Sequence, residues 1–159
     1  MAITLERYVN KTIQEITRDF TAFGNPFVLG VLTLAVVGVN MNLLYIFAGL
    51  VFIEIFCFAI KFFYHKDRPN KEEYANLIER IDASSFPSVH TARASFAFLA
   101  LFFLTPGLEK FLFLALIPII GATRVLLKKH FLVDVLGGYA VAILSFVLWL
   151  WLAQGVKFL

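Results

Sequence analysis

The sequence predicts an all-α integral membrane protein: five transmembrane helices preceded by one amphipathic helix that lies on the membrane surface. Three observations carry this. Of 159 residues, 60% are hydrophobic, against about 45–50% in soluble domains. The apolar residues, 19 Phe among them, gather in runs separated by short polar breaks. The first 23 residues instead interleave apolar and charged positions at helical spacing. Lipid offers an open strand no hydrogen-bond partner, so the apolar runs must be helices.

The N-terminal segment, residues 1–24, places Leu5, Tyr8, Val9, Ile13, Ile16, Phe20 and Phe23 on one stripe. Glu6, Arg7, Lys11, Glu15, Arg18 and Asp19 lie between them. A helix with that division rests in the interface; a partner protein's surface would suit the same stripe. Charges throughout this segment leave no compact apolar core for a cleavable signal peptide. Asn25-Pro26 then opens the first span, Pro26 to Val39, which is short for a hydrocarbon layer of about 30 Å and must tilt or thin the bilayer. Asn40-Met41-Asn42 turns the chain into the second span, Leu43 to Tyr64. A polar linker follows, His65 to Ser85. The remaining spans run Pro87 to Leu104, Phe111 to Leu127 and Phe131 to Ala153. The length allows one domain, so residues 25–159 form one bundle with the N-terminal helix attached.

The single cysteine, Cys57, sits in an apolar run and reads as packing. It excludes a disulfide framework and any multi-cysteine metal site. No nucleic-acid signature is present. Basic residues cluster between the apolar runs, where head groups or anionic substrates are met.

Counting spans puts the ends of the second and fourth and the starts of the third and fifth on one side. Three polar stretches lie there: "KFFYHKDRP" (61–69), "PSVH" (87–90) and "TRVLLKKHFLVD" (123–134). A phosphate carries close to two negative charges at neutral pH, and Lys61, Arg68 and Arg124 would offer it three positive ones. Arg presents a planar fork to the oxygens and Lys a point charge. Lys61 and Arg68 are seven apart, two helical turns, and share a face if the helix persists to Pro69. Pro87 suits the first turn of a helix, whose free N–H groups attract phosphate. Ser88 adds a hydroxyl there, and the Val89 and His90 amides add donors. His130 and Asp134 are four apart, which makes them neighbours on a helix face. A carboxylate accepting one ring N–H would leave the other nitrogen free to attack.

These stretches resemble the motifs of the type 2 phosphatidic acid phosphatase family, K-x6-R-P, P-S-G-H and S-R-x5-H-x3-D. The resemblance covers roughly residues 54 to 140. Val89 stands where that family has Gly, and Thr123 where it has Ser. The resemblance implies a membrane-embedded lipid phosphatase that needs no cofactor and no metal. His130 would be the nucleophile, forming a phosphohistidine. His90 would protonate the leaving group and then activate water, and Asp134 would orient His130. Lys61, Arg68, Ser88, Val89 and Arg124 would hold the phosphate. Arg93, Lys66 and Lys128, with Lys129 and Arg80 on the same basic rim, are candidate head-group contacts. Glu54 either sets the field at Lys61 or bonds a neighbouring helix. His65 is a linker residue without a role, and Gly137-Gly138 allows close helix contact.

The basic rim favours a polyprenyl diphosphate as substrate; phosphatidylglycerol phosphate and phosphatidic acid remain alternatives. A non-catalytic lipid-phosphate binder or transporter is the rival from another class. It would not need the nucleophile–carboxylate pair. Haloperoxidase chemistry, found in soluble relatives of the family, is a remote third. The partners expected are the lipid phosphate and the bilayer, and no feature sets an oligomeric state. The expected location is the cell membrane. The motif side carries Arg7, Lys11, Arg18, Lys66, Lys71, Arg80, Arg93, Lys128 and Lys129 beyond the three phosphate ligands, against Lys110 and Lys157 opposite. That asymmetry points the site to the cytoplasm, whereas the resemblance points it to the outer face.

Overall fold

The computed structural model describes residues 2–39, 41–70 and 75–154. Asn40, Lys71 and Lys157, named above in the first turn and in the charge asymmetry, lie outside them. Every regular element among the described residues is helical: α1 (Ala2–Thr21), a 3-10 turn (Ala22–Gly24), α2 (Pro26–Val37), α3 (Met41–Phe63), α4 (Leu77–Ala83), α5 (Val89–Leu104), α6 (Phe111–Leu126) and α7 (Leu132–Gln154).

The helix boundaries follow local chemistry. Asn25 accepts the Phe27 amide with its side chain and Pro26 takes the first helical position, so α2 starts where the sequence places it. α2 ends at Gly38, whose φ of 72° few other residues tolerate. Ser88 is the N-cap residue of α5, directly after Pro87. α6 closes through Lys128, which adopts a φ of 53°. The amides of Lys129 and His130 both return to the Arg124 carbonyl, at 3.1 and 3.2 Å. This left-handed corner folds His130 back under Arg124.

Five apolar helices, α2, α3, α5, α6 and α7, thus occupy the five expected runs. Within α3 and α7, Asn42–Phe63 and Leu132–Trp151 are long and apolar enough to cross a membrane by themselves. α5 and α6 have 16 residues each, about 24 Å of helix. Lys11–Gly24 and Pro26–Val37 pass the same length and composition test only as a pair, bent by 67° at Asn25. The linker read as His65 to Ser85 contains a helix that was not expected, α4. Its signal is Asn76, whose side chain accepts the Glu79 amide at 2.9 Å. The Glu79 carboxylate returns to the Ala75 amide at 2.7 Å, a reciprocal cap of the kind that opens many helices.

α5 is the hub, packed against α2, α3, α6 and α7. Its small residues Ala92, Ala94, Ala97 and Ala100 are fully buried, which lets neighbouring backbones come close without a hydrophobic drive from water. Gly138 of α7 faces the start of α5: a Cβ there would lie 2.7 Å from the Ser88 carbonyl oxygen. The outer surface is apolar, with Leu44, Val51, Ile55, Leu112, Ile143, Leu144 and Val147 all exposed. A continuous surface of that kind belongs in lipid.

Candidate active site

One end of the bundle holds a cavity of about 470 Å³. Lys61 from the last turn of α3, Arg68 from the following loop, Val89 and His90 from the first turn of α5, Arg124 from the last turn of α6 and His130 from the loop after it all line this space. Residues up to 69 positions apart in the chain therefore meet at one site. Glu54, Asp82, Arg93 and Lys129 complete its polar wall, and Phe58, Ile78 and Ile81 form an apolar flank.

Lys61 and Arg68 reach the cavity by a different route from the expected one. α3 ends at Phe63, so the two do not share a helix face. Both instead donate to the Asp82 carbonyl at the end of α4, Lys61 Nζ at 3.3 Å and Arg68 Nη2 at 2.6 Å. A single carbonyl thus gathers two cations. Nothing in the sequence points to Asp82, since a backbone acceptor leaves no residue signature.

His130 is 3% exposed. Its Nδ1 lies 2.8 Å from the Ser85 carbonyl. A carbonyl oxygen only accepts, so Nδ1 carries the proton and Nε2 keeps its lone pair. Burial pushes the imidazole pKa down to about 3, helped by the nearby Arg124 charge and opposed by the Ser85 bond. His130 is therefore neutral at physiological pH. With only three histidines in the chain, ¹⁵N-imidazole spectra of the detergent-solubilised protein are expected to show the His130 ring neutral and Nδ1-protonated from about pH 5 to 8. Titration of the His130 signal near its ordinary value of about 6.5 would contradict this placement.

The expected Asp134–His130 hydrogen bond is corrected. Asp134 Oδ2 lies 3.9 Å from Nδ1, too far for one. The reason is the helix start: α7 begins at Leu132, so His130 precedes it and the i, i+4 geometry does not apply. Asp134, fully buried, instead accepts from the Phe131 amide at 2.8 Å, from the Ser85 hydroxyl and from Lys66 Nζ at 2.5 Å. Lys66 is thereby also corrected. It is a buried-site ion pair and lies 4.8 Å over the Phe131 ring, not a head-group contact.

Ser88 sits off the cavity wall. It is fully buried, its amide donates to the Asp134 carbonyl at 2.9 Å and its hydroxyl accepts from Thr91 at 2.9 Å. Lys128 is exposed and outside the cavity, because the left-handed corner presents Lys129 there instead. Arg93 does line the cavity, and its Nε lies 3.0 Å from Glu54 Oε1. Of the two readings of Glu54, bonding a neighbouring helix is the contact seen. His65 Nε2 lies 3.3 Å from Asp67 Oδ1.

An all-α apolar bundle that closes on a cavity lined by cations and two histidines defines a membrane protein with a polar, cationic pocket at one end. The chain belongs to the PAP2 superfamily, whose sequence profile matches residues 42–157. Comparison with curated protein sequences finds no match. Among solved structures, the chain is similar to the crystal structure of a transmembrane PAP2 type phosphatidylglycerolphosphate phosphatase from Bacillus subtilis. The TM-score is 0.70 at 19% identity, over 99% of this chain and 88% of that one. At that identity the likeness is one of fold.

Proposed function

We propose that this chain is a membrane-embedded lipid phosphatase acting through a phosphohistidine on His130. The observation that carries the reading is the convergence of Lys61, Arg68, Arg124, His90 and His130 on one cavity. Family membership supports it. In this reading residues 1–159 form one domain, α1 lies along the interface and the five apolar helices cross the cell membrane. The apolar outer surface supports their immersion in lipid.

The three cations hold the phosphoryl oxygens and stabilise the charge that develops on them. His130 Nε2 attacks phosphorus while the bond to the leaving oxygen breaks, and His90 gives that oxygen its proton. His90 then takes a proton from water, whose oxygen attacks phosphorus. The P–N bond breaks and orthophosphate leaves. The substrate's tail passes the apolar flank of Phe58, Ile78 and Ile81 into the bilayer.

A polyprenyl diphosphate is the favoured substrate, because Lys129 and Arg93 add to the three phosphate cations. A second reading rests on the Arg93–Glu54 pair: it offsets one of the added charges and favours a single phosphate. The Bacillus subtilis protein is described as a phosphatidylglycerolphosphate phosphatase, a monoester reading of that kind. The test is phosphate release by purified protein from polyprenyl diphosphate, phosphatidylglycerol phosphate and phosphatidic acid, with a chelator present. Highest kcat/KM on the diphosphate supports the first reading, and on a monoester the second. No release from any of them would favour the lipid-phosphate binder.

A further inference from the structure

The profile match begins at residue 42, yet residues well before it touch the cavity's machinery. Arg124 Nη1 donates to the Thr21 hydroxyl at 2.9 Å. Thr123 Oγ1 lies 3.2 Å from the same oxygen and 2.7 Å from the Ile120 carbonyl. Thr123 has one hydroxyl proton, and the shorter contact to an acceptor-only carbonyl takes it. Thr123 is then an acceptor for the Thr21 proton. The hydrogen bonds run in one direction: Arg124 to Thr21, Thr21 to Thr123, Thr123 to Ile120. Three residues on, buried Gly24 packs on His90. A Cβ at Gly24 would lie 2.7 Å from His90 Cδ2 and 2.9 Å from His90 Cβ.

We propose that Thr21 and Gly24 are positioning residues of the phosphate site, Thr21 fixing the Arg124 guanidinium and Gly24 seating the His90 ring. This rests on the roles given above to Arg124 and His90. The choice of a hydroxyl is the physical point. Arg93 is held by the Glu54 carboxylate, which offsets its charge. Thr21 meets Arg124 with a neutral oxygen, so this contact places no negative charge beside the guanidinium. Gly24 works by absence: its missing side chain leaves the room that the His90 ring fills. The break at Asn25, with α1 and α2 bent by 67°, carries both residues to the cavity.

The test uses the full chain in detergent. Thr21→Val keeps the shape and removes the hydroxyl; Thr21→Ser keeps the hydroxyl. Thr21→Val is expected to raise KM and the inhibition constant of inorganic phosphate about tenfold with little change in Tm, and Thr21→Ser to restore both. Gly24→Ala is expected to lower kcat with KM near wild type, since it displaces the proton donor and not a phosphate ligand. If Thr21→Val does not fold, Thr21→Ala is compared with Thr21→Ser in the same way. Wild-type phosphate affinity in the hydroxyl-free variant, or a Ser variant as impaired as Val, would overturn the role of Thr21. Gly24→Ala with wild-type kcat would overturn that of Gly24. If the wild type releases no phosphate from any lipid, the catalytic reading fails, and with it the role of Gly24. Protection of Tm by inorganic phosphate still decides Thr21.

Discussion

His130→Ala is expected to abolish phosphate release, a loss on the order of 10⁴-fold in kcat, while the protein still binds inorganic phosphate. The two effects separate because the charges and the nucleophile come from different segments. Lys61 and Arg68 are held by the Asp82 carbonyl and Arg124 by Thr21, none of which passes through the His130 ring. Removing the ring leaves the cationic wall standing. Binding is measured by thermal protection with inorganic phosphate, and turnover by phosphate release. Acid-sensitive, alkali-stable label from a ³²P-phosphorylated lipid should appear on wild-type protein. It should accumulate in His90→Gln, in which water activation is lost, and be missing in His130→Ala. Wild-type turnover in the Ala variant would end the phosphohistidine reading. Loss of phosphate binding together with turnover would show the ring to be structural.

The apolar helices were legible because apolar runs and their breaks are properties of the chain itself. The five apolar helices start and end within about two residues of the expected limits, at signals such as Asn25-Pro26 and Thr105-Pro106-Gly107. That Lys61, Arg68, His90, Arg124 and His130 line one cavity was legible from the three motif stretches, which end or open apolar runs where ionisable residues have few other places to go. What was not legible is what holds them. Asp82 and Ser85 act through carbonyl oxygens, which every residue has. Thr21 and Gly24 come from a segment in which no motif stands. α4 could have been found, since Asn76, Glu79 and the apolar positions Leu77, Ile78 and Ile81 mark a capped turn. Lys66 was misread for a different reason. A lysine between a membrane helix and a polar loop normally reaches for head groups, and only the fold brings a buried carboxylate within its reach.

That contact sets the second expectation. Asp134 is fully buried and accepts from three donors: the Lys66 ammonium, the Ser85 hydroxyl and the Phe131 amide. Ser85 in turn holds His130 through its carbonyl. Asp134 thus orients the ring at one remove. Asp134→Ala leaves all three donors without their acceptor and is expected to cost about 3 kcal/mol of stability. The figure sits at the low end for a broken buried pair because the Lys66 side chain is 24% exposed. Asp134→Asn keeps an acceptor for the amide and the hydroxyl. It is expected to lower kcat about 10²-fold, well short of the ~10⁴-fold seen when a carboxylate bonded directly to a catalytic ring is replaced. Ser85→Ala removes the hydroxyl and keeps the carbonyl, so its effect and that of Asp134→Asn should overlap in the double variant. Lys66→Met should lower Tm and kcat with KM near wild type, whereas a lysine touching the head group would show itself in KM. Additive losses for Ser85→Ala and Asp134→Asn would mean that Asp134 reaches His130 by a path that bypasses Ser85, and a KM effect alone for Lys66→Met would return Lys66 to the head group.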